Sequence, residues 1–267
     1  MVGGGHGLEP LLVEPAVTVQ FHPDWPYGGQ RVIEALAASG VYRSQFVTGI
    51  SNGGLTAYPG GDRWNWESRL FAGRYDIRPA EERPVYGAWN RRADPYGGAV
   101  RFGSAYLQLR PDVLARTTFC FPDSVFEPDE YGGPDLLPRL CALADRATGL
   151  DHLDEAVEAQ VHGSVVVAED VEAVVLDPSF ADSAVAEAAS RLGCPVRYHP
   201  GFRTATADLD PQYRGAGAVE LARSLGPVLT PDLIGHAART GEHDLQSLKR
   251  VWHCLARFGR SGAHPRR

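Results

Sequence analysis

Short segments of alternating apolar and polar residues dominate the first two thirds of the chain. Residues 17–21 (VTVQF) alternate in this way and are rich in β-branched side chains, which predicts a strand. The same pattern predicts further strands over 41–47, 84–90, 99–109, 117–121, 157–167 and 171–176. The segment 157–167 is alternatively two strands with a kink at Gly163. This part of the chain is therefore expected to build a β core.

Apolar residues at helical spacing identify 30–39 as a helix, and Gly40 stands where a C-terminal cap is needed. Further helices are predicted over 64–71, 136–148, 184–192, 217–224, 231–238 and 245–258. In the last of these, Trp252, Leu255 and Phe258 recur at spacings of three and predict a buried face. Strands grouped before helices favour an α+β fold over a doubly wound sheet.

The change from strand-forming to helix-forming sequence divides the chain into three expected regions. Residues 1–16 are a Gly-rich flexible leader, 17–182 form the strand-rich main domain, and 183–267 are mostly helical. The helical region either packs on the main domain or serves as its targeting part. A chain of 267 residues with 43% hydrophobic content is long and apolar enough to bury a sizeable core.

Charge and cysteine content exclude several classes of protein. The formal net charge of −7 and the lack of a basic segment argue against a nucleic-acid partner. No apolar run approaches the ~20 residues that span a bilayer, so no membrane association is expected. The four cysteines are widely spaced and are expected to be reduced thiols. Without a signal-peptide pattern, we expect a cytoplasmic protein or an effector exported by another route.

Three polar residues share one face of the predicted strand at 157–167. Alternate side chains of a strand point the same way, so Glu158, Gln160 and His162 lie opposite Ala159 and Val161. Such a face is either the wall of a cleft or a solvated side of a sheet, and the spacing supports both interpretations equally.

A charged residue interrupts the aromatic segment YRSQF, which runs into the Gly-rich stretch 48–62. On the predicted strand, Arg43 requires a partner, either a ligand or an internal salt bridge. The small residues that follow allow a ligand to approach the backbone. Farther along, Ser104 and Tyr106 lie two apart on a predicted strand, where they either position a ring or pack as ordinary core residues. No dinucleotide-binding or P-loop glycine motif is present.

The sequence resembles the CteC-like (CHART) family of PARP-like ADP-ribosyltransferases in six short motifs that occur in the same order. These motifs are YRSQF, TGISNGG, GGDRWNWESRLF, FGSAYLQL, TTFCFPDS and EAQVHG. The resemblance covers residues 17–180. It implies an ADP-ribosyltransferase-like catalytic domain over 17–182, with a split two-sheet β core, flanking helices and an NAD cleft between the sheets. NAD would be the substrate, and no metal would be needed.

The resemblance also implies a role for each matching residue. Glu158 would be the catalytic carboxylate that stabilises an oxocarbenium-like ribose. Arg43 would bind a pyrophosphate oxygen or orient the ribose. Ser104 and Tyr106 would order the nicotinamide pocket, with Gln160 and His162 supporting the carboxylate. The remaining expected contacts to NAD come from Ser44, Gln45, Asn52, Gly53 and Gly54.

The family is also described by an Asp–Glu catalytic pair. We assign the aspartate to Asp62, with Asp123 as a close alternative and Asp24 as a distant one. Because Gln160 replaces the second glutamate of the arginine-modifying enzymes, the favoured acceptor is a Thr or Ser hydroxyl of a protein. Ubiquitin is a candidate acceptor.

Three other hypotheses remain. The protein could be an NAD glycohydrolase, with water as the acceptor, or a non-catalytic module that binds NAD or a protein. A metal-dependent hydrolase built on His22, Asp24 and His199 is the third, although no metal-binding spacing supports it.

Overall fold

The computed structural model describes residues 14–49, 57–128 and 130–261. The strands in these ranges are β1 Val17–Phe21, β2 Pro26–Tyr27, β3 Gln30–Arg31, β4 Val41–Tyr42, β5 Val85–Trp89, β6 Ala105–Leu109, β7 Thr117–Cys120, β8 Tyr131–Gly132, β9 Val157–Val161, β10 Val165–Val166, β11 Val171–Leu176, β12 Val196–Tyr198, β13 Thr204–Ala205 and β14 Val228–Leu229. The α-helices are α1 Val32–Ser39, α2 Gln45–Thr48, α3 Asp62–Leu70, α4 Leu137–Arg146, α5 Val167–Asp170, α6 Ala184–Ser190, α7 Pro211–Arg214, α8 Ala216–Leu225, α9 Pro231–Thr240 and α10 Leu245–Phe258. The large sheet is mostly antiparallel, unlike the parallel sheet of a doubly wound fold, and the predicted α+β class is confirmed.

Eight strands form one mixed sheet in the order β12-β11-β6-β1-β5-β9-β7-β8. Neighbouring strands are antiparallel except β11 and β12, which pair in parallel. The sheet therefore continues past residue 182, since β12 lies in the region expected to be mostly helical. Among the described residues, no helix combines the length and the apolar character needed to cross a bilayer.

The sheet opens in its middle, between β1 and β5. These strands share only the pairs Val17–Trp89 and Thr18–Ala88, whereas β1 stays paired with β6 as far as Phe21. At Gly87 the strands still touch, since a Cβ there would lie 2.5 Å from the Thr18 carbonyl oxygen. These eight strands therefore form one continuous sheet with an opening beyond Thr18, in place of the expected core of two separate sheets.

The larger core fills one face of the sheet. It contains the inward residues of the central strands, such as Val19, Leu107 and Ala159, together with the apolar faces of α1, α4 and α6. Helix α1 ends as predicted, because Gly40 adopts the left-handed conformation and its N–H binds the Leu36 carbonyl oxygen.

The C-terminal helices build a second core against the N-terminal part of the chain. Trp252 of α10 packs in this core with Trp25 and Tyr96, and its indole N–H contacts the carbonyl oxygens of Val100 and Arg101 at 3.1 and 3.0 Å. The C-terminal region is therefore packed directly on the remainder of the chain. The predicted buried face of α10 is wrong at one position, since Phe258 is 39% exposed.

Local structure differs from the predictions in two segments, and a third segment follows one of its two predicted alternatives. The strand expected over 41–47 ends at Tyr42, because Gln45–Thr48 forms the short helix α2. Residues 100–102 form a 3₁₀ turn before β6 begins. The segment 157–167 divides at Gly163, whose φ of +84° breaks the strand, and β10 then pairs with β4. The alternative of two strands is therefore the one observed.

Candidate active site

A cavity of about 690 Å³ lies where β1 and β5 separate. This volume falls in the range of small-molecule and cofactor sites. Its aromatic lining comprises Phe21, Trp25, Tyr27, Tyr42, Tyr86 and Phe102. Its polar and charged lining includes Gln20, His22, Gln30, Arg43, Ser44, Gln45, Thr48, Arg63, Glu158, Asp244, Gln246 and Lys249. The cavity thus combines flat apolar surfaces with three basic residues and a deeply buried carboxylate.

That buried carboxylate belongs to Glu158, the second residue of β9, which is 6% exposed. Ser124 Oγ lies 2.8 Å from its Oε2, and the amide Nε2 of Gln160 donates to its Oε1 at 3.1 Å. The thiol of Cys120, opposite Glu158 on β7, is 3.8 Å from Oε1. Neighbouring strands and the turn after β7 therefore hold the carboxylate in one orientation.

Burial raises the pKa of Glu158 to about 8, and the negative charge of Asp123 adds to this effect. The charge of Arg63 and the hydrogen bonds from Gln160 and Ser124 act in the opposite direction. Because pKa falls when a positive charge approaches a carboxyl group, a cationic ligand in this cavity would favour the ionised form of Glu158.

Arg63 is a site residue that the sequence analysis missed. Its guanidinium lies 4.4 Å from the ring centre of Tyr86, and its Nη1 donates to Ser124 Oγ at 3.3 Å. Burial disfavours its charged form, but the neighbouring Tyr86, Glu158 and Asp123 outweigh burial and raise its pKa. An arginine beside two tryptophans at the start of α3 was the available signal, since guanidinium groups often stack on aromatic rings.

The structure favours Asp123 over Asp62 as the acidic neighbour of Glu158. Asp62 is an exposed first residue of α3 and does not line the cavity. Asp123 does not line the cavity either, but it is buried, directly precedes Ser124, and is close enough to Glu158 to raise its pKa. Asp24 is buried elsewhere, in an ion pair with Arg239 at 3.0 Å. Asp123, and not Asp62, is thus the aspartate that lies beside Glu158.

The predicted segment around Arg43 does contribute to the cavity. Arg43, Ser44 and Gln45 all line it, although they lie in a turn and a short helix instead of a strand. The Arg43 side chain is exposed, so the alternative of a buried internal salt bridge is wrong. Ser44 is held in place because its hydroxyl donates to the Ala80 carbonyl oxygen at 3.1 Å. Asn52, Gly53 and Gly54 lie outside the described residues.

Ser104 and Tyr106 do not line the cavity, and their prediction as ring-positioning residues is corrected. Both are buried, and the Tyr106 hydroxyl donates to the Pro95 carbonyl oxygen at 3.0 Å. Tyr106 belongs to β6, one strand beyond the opening, and Ser104 directly precedes this strand, which explains why neither residue reaches the cavity. Gln160 also stays behind the cavity surface, where it contacts Glu158 from the same face of β9 as predicted.

Two further lining residues come from opposite ends of the chain. His22 follows β1, stacks on Trp25 at 4.4 Å, and meets the edge of Trp252 at 5.0 Å. Burial, with help from the charges of Lys249 and His253, lowers the pKa of His22 to about 3. Lys249 of α10 is the only lysine in the sequence, and burial lowers its pKa to about 8. Helix α10 therefore supplies part of the cavity wall.

The three residues of the metal-hydrolase hypothesis have separate environments. His22 is stacked in the cavity wall, and Asp24 pairs with Arg239. His199 Nε2 donates to the Ser104 carbonyl oxygen at 2.9 Å, and its Nδ1 accepts from Gly201 N–H. Within ranges 14–49, 57–128 and 130–261, no three His, Cys, Asp or Glu side chains are grouped as metal ligands.

Fold and site together define an α+β protein with a ligand-sized cavity built around a buried, hydrogen-bonded carboxylate. The chain belongs to the family described as "Protein of unknown function (DUF3626)", whose model matches residues 16–144 and 142–258. Both the strand-rich and the helical parts are therefore characteristic of this family. A comparison with curated proteins found no match.

Proposed function

We propose that the protein is a mono-ADP-ribosyltransferase that transfers ADP-ribose from NAD to a protein hydroxyl and releases nicotinamide. The observation that supports this proposal is the position of Glu158, a buried carboxylate in a cavity at the opening of the sheet. The resemblance to the ADP-ribosyltransferases implies an NAD cleft between two sheets, and the cavity lies at a comparable opening, between β1 and β5 of the single sheet.

The charge distribution of the cavity suits the proposed chemistry. When the bond between ribose C1′ and the nicotinamide nitrogen breaks, its electron pair neutralises the pyridinium and positive charge develops on the ribose. An ionised Glu158 would stabilise that charge through space. The cationic nicotinamide of bound NAD would itself lower the raised pKa of Glu158, so binding would produce the ionised form that the reaction requires.

The acceptor hydroxyl must lose a proton as its oxygen bonds to C1′. We propose that Asp123, rather than Asp62, receives this proton by way of Glu158, because Glu158 lines the cavity and Asp123 is the carboxylate next to it. Its hydrogen-bond link through Ser124, at 3.2 Å, joins the two acidic side chains in one network.

The remaining lining offers contacts for the rest of a dinucleotide. Arg43 is exposed at the cavity and can bind a pyrophosphate oxygen, for which a guanidinium is well suited. Lys249 adds a second cationic group at the α10 wall. The rings of Trp25, Tyr86 and Phe102 provide flat surfaces for nicotinamide or adenine.

The test is NAD turnover by the purified protein, with and without cell lysate, in the wild type and in Glu158→Gln. We expect labelled ADP-ribose on a lysate protein, and a loss of about 100-fold or more in the variant. Glu220→Gln is the matched control, because Glu220 is exposed on α8 and does not line the cavity. The modified residue would be identified by mass spectrometry.

The other outcomes point to other functions. Free ADP-ribose in place of a labelled protein, lost equally in Glu158→Gln, would identify an NAD glycohydrolase. NAD that binds by calorimetry and is not consumed would identify a binding module. Failure of NAD to bind would overturn the proposal.

A further inference from the structure

Five side chains form a continuous line of hydrogen bonds that ends on Glu158. The Tyr75 hydroxyl is 2.5 Å from His162 Nδ1, and His162 Nε2 is 3.0 Å from Thr118 Oγ1. Thr118 Oγ1 is 2.8 Å from Gln160 Oε1, and Gln160 Nε2 is 3.1 Å from Glu158 Oε1. Thr118 and Gln160 face each other across the β7–β9 register, so the two strands fix the centre of this line.

When Glu158 is ionised, the hydrogens on these five side chains allow hydrogen-bond donation along the line in one direction only. A carboxylate only accepts, so Gln160 must present its NH₂ group to Glu158 and its Oε1 to Thr118. Thr118 then donates its single hydrogen to Gln160 and accepts one from His162 Nε2–H. His162 Nδ1 carries no hydrogen in this tautomer and accepts from Tyr75. Every link therefore donates towards Glu158.

Hydrogen-bond donation in the opposite direction, away from Glu158, requires a protonated Glu158 carboxyl group. If the Gln160 amide is turned over, its Oε1 faces the carboxyl group, which must then donate a hydrogen to it. Its NH₂ group faces Thr118, which would donate to His162 Nε2. The hydrogen on Thr118 thus determines which end of the Gln160 amide meets Glu158, and hence which protonation state is favoured.

Neighbouring side chains hold the His162 imidazole in position to bond to Thr118. Its ring stacks on Tyr75 at 11° and meets the edge of Phe71 at 5.3 Å. Arg116 donates to the His162 carbonyl oxygen at 2.8 Å. Burial, with help from the charges of Arg74 and Arg116, lowers the pKa of His162 to about 4, so the ring is neutral at neutral pH.

We propose that Tyr75, His162 and Thr118 are positioning residues that orient the Gln160 amide towards Glu158 and favour its ionised form. The role in turnover rests on the proposed function, whereas the effect on Glu158 does not. The groups that also act on Glu158 are Ser124, Asp123, Arg63, Tyr86 and Cys120, and all of them remain in the variants below.

The decisive variant is Thr118→Val, which keeps the shape of the side chain and removes the hydroxyl. Its matched control is Thr118→Ser, which keeps the hydroxyl. The pKa of Glu158 is measured by carbon-13 NMR of protein labelled at the glutamate carboxyl carbon, with the signal assigned through Glu158→Gln. We expect Thr118→Val to raise this pKa by about one unit, while Thr118→Ser leaves it near the wild-type value.

Tyr75→Phe provides a second variant should Thr118→Val fail to fold. It removes only the first donor, so we expect a smaller rise in the pKa of Glu158. An unchanged pKa in folded Thr118→Val, or in folded Tyr75→Phe if the former does not fold, would overturn the proposal. An equal rise in Thr118→Ser and Thr118→Val would do so as well.

Turnover separates this proposal from the proposed function. If both hold, kcat/KM of Thr118→Val for NAD falls about tenfold at pH 7 and recovers at high pH, because about tenfold less Glu158 is ionised. A shifted Glu158 pKa in a protein that does not consume NAD would support the positioning role and contradict the transferase. Turnover of NAD with an unshifted Glu158 pKa would support the transferase and contradict the positioning role.

Discussion

The hydroxyl oxygen of Ser124 lies 2.8 Å from Oε2 of Glu158, although 34 positions separate the two residues in the sequence. This contact closes the turn after β7 over the start of β9. It places Asp123 beside Glu158 and leaves the carboxyl group both hydrogen-bonded and poorly solvated. The raised pKa of Glu158 follows from this arrangement and has consequences for stability.

The first prediction concerns the pH dependence of that stability. The folded-state pKa of Glu158, about 8, exceeds its usual value of 4.5. The stability that its protonation contributes is fully present below pH 4.5 and is lost as pH rises through 8. Glu158→Gln does not titrate, so it should become more stable than the wild type at pH 9, by about 2 kcal/mol or roughly 5 °C.

Thermal denaturation of both proteins between pH 5 and 9 tests this prediction. Asp24 has a raised pKa of about 7 and titrates in the same window, so the comparison uses the difference between the two proteins. A difference in Tm that stays constant with pH would show that Glu158 is not destabilised by ionisation.

The second prediction uses Lys249, the only lysine in the chain. Its lowered pKa of about 8 implies a large neutral fraction at mildly alkaline pH. Acylation of its amine should accelerate about tenfold per pH unit and level off near pH 8, because only the neutral amine reacts. Peptide mapping locates the label, and Lys249→Arg removes it.

NAD should slow this acylation if the proposed site is correct, since Lys249 lines the cavity. A rate that continues to rise up to pH 10 would mean that the amine is well solvated. Equal rates with and without saturating NAD would mean that the ligand does not reach the α10 wall.

The third prediction concerns the ion pair behind the cavity. Arg83 donates to Glu67 at 2.6 Å, both side chains are at most 4% exposed, and Tyr86 donates to the same carboxylate at 2.8 Å. Glu67→Ala should cost about 3–5 kcal/mol, because it leaves a buried guanidinium without its partner. The Arg83→Met, Glu67→Leu double variant should cost less than the two single changes together.

Chemical denaturation measures these free energies of unfolding. The exposed pair of Arg78 and Glu82, at 2.8 Å, serves as the control. Glu82→Gln should change the stability by about 0.5 kcal/mol or less. Additive costs at Glu67 and Arg83 would contradict the conclusion that the two charges depend on each other.

The fourth prediction compares two helical glycines. A Cβ at Gly235 of α9 would overlap the carboxylate of Asp24, which holds Arg239 of the same helix. A Cβ at Gly217 of α8 would have no heavy atom within 4 Å. Gly235→Ala should therefore destabilise the protein by about 1–3 kcal/mol, and Gly217→Ala should stabilise it by about 0.5–1 kcal/mol.

Urea unfolding of the two variants measures whether each change raises or lowers the free energy of unfolding. If Gly235→Ala is neutral, α9 moves away from Asp24 without loss of the contact to Arg239. A destabilised Gly217→Ala would indicate that the helix requires flexibility at that position.

Residue patterns alone determine much of the fold. Strand β1, helix α1 with its Gly40 cap, and the C-terminal helices all follow from apolar periodicity, which depends only on the local backbone geometry. The common face of Glu158 and Gln160 is determined in the same way, because side chains alternate along a strand. Phe258 departs from its pattern because the ring of Tyr213, with its centre 5.5 Å away, covers it only in part and leaves it 39% exposed.

The composition of the site was decided by the tertiary structure. The sequence favoured Asp62, with Asp123 as a close alternative, and only the turn after β7 brings Asp123 to Glu158. Ser104 and Tyr106 were misplaced because strand order, which long-range pairing determines, leaves β6 one strand away from the opening. Lys249 reaches the cavity from more than 200 residues beyond Arg43, and no local pattern encodes a contact over that separation.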